Sequence, residues 1–86
     1  MQIHVDAKLR AIRAGIEAYA PALHLADHGI DRDEAIARLR RGVTAWCEGL
    51  QRQGESELTW ALKRHHVRFE SDAGPLTVEI VTRPDA

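Results

Sequence analysis

The chain has 86 residues, a formal net charge of −1 and a single cysteine. That length holds one domain and no more. The near-zero charge gives no overall drive toward nucleic acid or a membrane surface, and one cysteine excludes an internal disulfide and points to a reducing compartment. No apolar run approaches the roughly 20 residues of a membrane span, and no basic-then-apolar leader opens the sequence. The expectation is one cytoplasmic domain over residues 1–86.

In residues 2–9 the odd positions Ile3, Val5, Ala7 and Leu9 are apolar, and the even positions Gln2, His4, Asp6 and Lys8 are polar. That alternation is the pattern of a half-buried strand. Val5, Leu9, Ile12, Ile16 and Tyr19 also fit a helical stripe, so the residues alone leave strand and helix open. Gly15 in mid-helix would cost about 1 kcal/mol; as a turn with Ala14 it would instead lead into a second strand over residues 16–20. Pro21 breaks the ladder there. Leu23 and Leu25 alternate with His24 and Ala26 as a third short strand.

Next comes the most strongly marked element, a helix with Asp31 as N-cap and Glu34 three residues on, an acidic variant of the capping box. Gly29 before it tolerates the turn. Ile36, Leu39, Val43, Trp46 and Leu50 form one apolar stripe. Arg38, Arg40, Arg41, Glu48 and Arg52 fall off it, with Glu34–Arg38 and Glu48–Arg52 as i,i+4 pairs. Gly54 is the expected stop. A shorter helix follows, with Leu58, Ala61 and Leu62 on one side and Trp60 away from Leu58. Val67 and Phe69, then Leu76, Val78 and Ile80, read as a final hairpin around the turn residues Asp72, Ala73, Gly74 and Pro75. Strands followed by one long helix suggest an α+β two-layer sandwich, an antiparallel sheet with the long helix across one face.

The run AYAPAL, then HGIDRDEAIARL, then a tryptophan, leucine and glycine at four-residue steps resembles the HicB-like family. Ala18, Pro21, Leu23, Gly29, Glu34 and Ala35 fall on its pattern, and Asp31 stands where the family often has threonine. The resemblance covers about the first two-thirds of the chain and implies strands over residues 3–20. It also implies a trimmed ribonuclease H-like build in a bacterial protein. Family members are antitoxins that bind and block HicA-type toxins, which are small ribonucleases that cleave messenger RNA. Many carry a C-terminal ribbon-helix-helix or helix-turn-helix segment. This sequence reads through a hairpin to Ala86, so the expectation is a stand-alone HicB-like domain.

The residues show no constellation for a reaction. His24 and His28 flank Asp27, and His65 and His66 are adjacent, but the first two fall on a strand and its turn and not on one helix, and the second two point apart if their segment is extended. They read as solvated histidines, with no metal or cofactor expected. Asp6 and Glu17 are too few for two-metal hydrolysis, and Lys8 and Arg10 stand ready to pair with them. Cys47 reads as a small core residue beside Val43 and Leu50. There is no phosphate loop, nucleophile elbow or CxxC. The expectation is a binding protein and not an enzyme. Its partners would be a second copy of itself and a HicA-like toxin, with Tyr19, His24, Trp60, Arg38 and Arg41 as the contact residues. The alternative is a small nucleic-acid binder using the arginine-rich helix face, with weak affinity at this net charge. A small domain gains stability from association, and residues 2–9 or 77–81 are the strands offered for pairing with a second copy.

Overall fold

The computed structural model describes residues 1–82. Among these residues the order is β1 (Gln2–Ile12), β2 (Gly15–Ala20), β3 (Leu25–Gly29), α1 (Arg32–Gln53), α2 (Glu55–Arg64), β4 (Arg68–Glu70) and β5 (Thr77–Thr82). Residues 3–20 are therefore two strands, which decides the choice between strand and helix that the residues alone left open. The molecule is an α+β two-layer sandwich, with one sheet and both helices. Residues 83–86, toward which the final hairpin was expected to run, lie outside the described residues. Among the described residues no helix is long and apolar enough to cross a membrane.

The sheet is built on β1. Its second half pairs antiparallel with β2, from Lys8 against Tyr19 to Ile12 against Gly15, and β2 pairs antiparallel with β3. Its first half pairs antiparallel with β4 and parallel with β5. Successive residues of a strand direct their backbone groups to opposite edges. The tight hairpin at Ile12 and Gly15 turns the even residues of β1 toward β2. The bond from Thr77 N–H to the Met1 carbonyl, 2.9 Å, turns the odd residues toward β5. So β5 occupies one edge of β1, while β2 and β4 follow each other along the other. Residues 21–24 turn between β2 and β3, and Ala22 lines one depression with Val67 and Arg68.

Four expectations change here. Phe69 and Val78 both flank Ile3, so β4 and β5 are not a hairpin but enclose β1 between them. The turn residues between them do bend the chain, but β1 sits where the hairpin partner would. Three pairings are antiparallel and the β1–β5 pairing is parallel, because the chain returns through two helices before β5. For the same reason residues 2–9 are the middle of the sheet and offer no edge to a second copy. The third strand also begins two residues later than expected. Residues 21–24 form a turn, with His24 N–H bonded to the Pro21 carbonyl at 3.3 Å, and His24 takes φ +53°.

The core lies between the sheet and the helices. Ile3, Val5, Ala7, Ala18 and Ala20 from the sheet meet Ala35, Leu39, Val43 and Cys47 of α1 and Leu58 and Leu62 of α2. The buried stripe of α1 is thus centred on 35, 39, 43 and 47. Ile36, Trp46 and Leu50 flank it half-buried. Small residues at 35 and 47 let the helix approach the sheet, and the bulky ones wedge its sides. Truncating a fully buried leucine such as Leu39, Leu58 or Leu62 to alanine costs about 2–5 kcal/mol. Where β3 runs under the first turn of α1, the approach is close: a Cβ on Gly29 would stand 2.6 Å from the Ala35 nitrogen. Asp31 caps α1 by accepting from Glu34 N–H at 2.9 Å, and Glu34 reaches back to Ile30 N–H at 3.4 Å.

Candidate partner-binding surfaces

One helix layer covers one face of the sheet, so the even residues of β1 and their neighbours in register stand outside. Lys8 lies against Tyr19, Arg10 against Glu17, and Tyr19 against Ala26. Together they line an open depression that has Tyr19, half-buried, as its one aromatic residue. Arg10 Nε donates to Glu17 at 2.9 Å, while Asp6 lies 3.9 Å from Arg68. The register therefore separates Asp6 from Glu17, and each carboxylate faces an arginine.

A second surface runs between β3 and α1. Arg38, Arg41, Gly42 and Asp27 line a shallow groove there. Arg38 is already engaged, 3.3 Å from Glu34 and donating to the His28 carbonyl at 3.2 Å. Arg41 has no ion-pair partner among the described residues. Of the two i,i+4 pairs expected on α1, Glu34–Arg38 forms; Glu48–Arg52 is not among the ion pairs of the described residues.

The third surface is α2. Leu58, Ala61 and Leu62 turn inward, which leaves Trp60 facing solvent at 60% exposure. The Arg64 guanidinium lies 5.2 Å from its ring centroid, and Glu55, Ser56, Thr59 and Lys63 border a depression beside it. Ile30, after β3, is the other large apolar side chain left outside among the described residues, and periodicity gave no sign of it.

Of the residues expected to meet a partner, the fold brings Arg38 and Arg41 together. It leaves Tyr19 on the open sheet face, Trp60 on α2 and His24 exposed on its own turn. His28 is exposed on β3, and His65 packs edge-on against Trp46 at 5.8 Å. Among the described residues no group of three or more His, Cys, Asp or Glu is arranged to hold a metal ion. The histidine that meets carboxylates is His4: Nδ1 is 3.0 Å from Glu79 and Nε2 is 4.0 Å from Glu70. Sequence reading passed over it, because the register that brings β4 and β5 to either side of β1 is not a local pattern. Burial pushes the Cys47 thiol from 9.0 up to about 11, with the Glu48 charge adding to it, so this group is a core residue and a poor nucleophile. Compared with models of known protein families, with curated proteins and with solved structures, the chain matches none.

Proposed function

We propose that the chain is an antitoxin-type binding module of the HicB-like kind, without catalysis of its own, that docks on a HicA-type messenger-RNA-cleaving toxin and blocks it. The observation that carries this reading is Trp60. A tryptophan on a helix, 60% exposed and with an arginine over its ring, brings together the two residue types most enriched among interface anchors. The sequence pattern at Ala18, Pro21, Leu23, Gly29, Glu34 and Ala35 supplies the partner's identity, and the α+β sandwich agrees with the build that the pattern implies.

The test is co-expression with a HicA-type toxin, followed by co-purification, growth rescue and an RNA-cleavage assay. The wild-type chain is expected to bind at submicromolar concentration and suppress cleavage. Trp60→Ala is expected to weaken binding by a factor of about 30, the cost of about 2 kcal/mol for losing one anchor, with the thermal midpoint unchanged because the ring is exposed. Absence of both binding and rescue refutes the reading.

A second reading rests on Arg41, which stands without an ion-pair partner among the described residues, beside Arg38 in the β3–α1 groove. Salt-sensitive submicromolar binding of RNA, lost on changing Arg38 and Arg41 to Glu, would place nucleic-acid binding first.

A further inference from the structure

The two long edges of the sheet are treated differently. At β3 the ladder turns the backbone of His28 away from β2. Both of its groups are occupied: the N–H donates to the Asp27 carboxylate at 2.8 Å, and the carbonyl accepts from Arg38 at 3.2 Å. The chain's own side chains thus obstruct strand addition at His28, one way of protecting an edge, while the outward groups of Ala26 have no hydrogen-bond partner among the described residues.

β5 has no such protection. Thr77 N–H bonds to Met1, so Thr77, Glu79 and Val81 face β1, and Val78, Ile80 and Thr82 direct their N–H and C=O groups outward. None of these outward groups has a hydrogen-bond partner among the described residues. The strand reads TVEIVT, with one charge and no glycine, proline or lysine. β-Branched residues at five of six positions favour pairing.

We propose that β5 is the interface through which a second copy of this chain adds, antiparallel and about a two-fold axis at Ile80, making one continuous sheet from two domains. The choice of a second copy follows from register. With Ile80 against Ile80 of the second copy, Val78 meets Thr82 of that copy and Thr82 meets Val78. Every outward residue then enters a hydrogen-bonded pair, and each meeting pair shares a face of the sheet. On the outer face, Glu79 lies against Val81 of the second copy. The competing two-fold register, centred on Glu79, would set two carboxylates face to face and leave Thr82 without a strand partner. Strand β5 is therefore complementary to itself in the register centred on Ile80, and the buried faces of Val78 and Ile80 extend the apolar layer across the join. This interface lies away from α2, so it is independent of the Trp60 surface.

Sedimentation equilibrium of the full chain at micromolar concentration tests the proposal. The wild type is expected at twice the chain mass. Thr82→Pro removes an outward N–H and leaves the β1 ladder intact, so it is expected to weaken association about tenfold or more while the circular dichroism stays that of a folded domain. Val81→Glu, set against Glu79 of the second copy, is expected to dissociate the dimer, and Val81→Lys to keep it. A wild-type monomer, or a dimer that Thr82→Pro leaves intact, overturns the interface. Equal association of the two Val81 variants overturns the register.

Discussion

At the residue scale, the side chains with unusual surroundings are explained by packing. Cys47 is buried in the stripe of α1 that faces the sheet, and desolvation, with a smaller push from Glu48, raises its pKa from 9.0 to about 11. The unfolded chain therefore releases this proton first. The stability Cys47 brings is fully present below pH 9.0 and is lost as the pH rises toward 11. Two measurements follow. A disulfide reagent at pH 8 should leave the folded thiol unmodified and react at once in denaturant. The alkaline loss of stability should flatten when Cys47 becomes alanine. Rapid labelling of the folded chain would contradict the burial. Gly15 shows the opposite constraint, set by backbone and not by solvent. At φ +145° it lies against the Gly29 carbonyl, so the second strand can start only with a residue that has no Cβ.

At the element scale, α1 depends on its cap. Asp31 satisfies one first-turn amide, and Asp33 and Glu34 add negative charge at the positive end of the helix dipole. Asp31→Ala is expected to cost about 1 kcal/mol, lowering the thermal midpoint by about 4–8 °C in a domain of this size; Asp31→Ser should restore most of it. The cap and the glycine stop were legible because their causes are local, written within a few residues; the alternation of β1 is local too, but a helical stripe through Val5, Leu9, Ile12, Ile16 and Tyr19 competed with it. The stripe of α1 was read slightly off-centre, since hydropathy favoured Trp46 over Cys47 where close approach required the smaller residue. The misreading of β4 and β5 as a hairpin has a different origin. Asp72, Ala73, Gly74 and Pro75 are good turn residues, but which strand lies beside β5 depends on β1, more than seventy residues earlier in the register from Gln2 to Thr77. The same holds for the surfaces. Exposure of Trp60 follows from its place two residues after Leu58. The capture of Arg38 by the His28 carbonyl does not, because it requires β3 to lie beside α1.

At the scale of the whole molecule, the loop between β4 and β5 is tied to the start of β1. The Met1 ammonium donates to Asp72 at 2.7 Å, to the Gly74 carbonyl at 3.1 Å and to the Pro75 carbonyl at 3.3 Å. The bond from that ammonium, then the Gly74 N–H, hold the Asp72 carboxyl below its ordinary value of 3.8. A lowered carboxyl stabilises the fold above the unfolded value, and the contribution is lost as the pH falls through the folded one. Asp72→Asn should therefore lower the melting temperature at neutral pH and make its decline below pH 3.8 shallower than in the wild type; parallel acid limbs would show that the tie adds nothing.

The enclosure of β1 by β4 and β5 also sets a timetable for synthesis. The first half of β1 emerges early from the ribosome, yet the strands that cover its two edges are among the last described residues to be made. The β2 and β3 hairpins and α1 can assemble at once from near neighbours, whereas Ile3 and Val5 wait for a parallel partner joined by a long connection. Non-local pairings of this kind form slowly and leave strand edges exposed meanwhile. A nascent chain halted before Thr77 would therefore hold a helix-backed hairpin with the first half of β1 uncovered on the β5 side, which is where a chaperone would be expected to engage it.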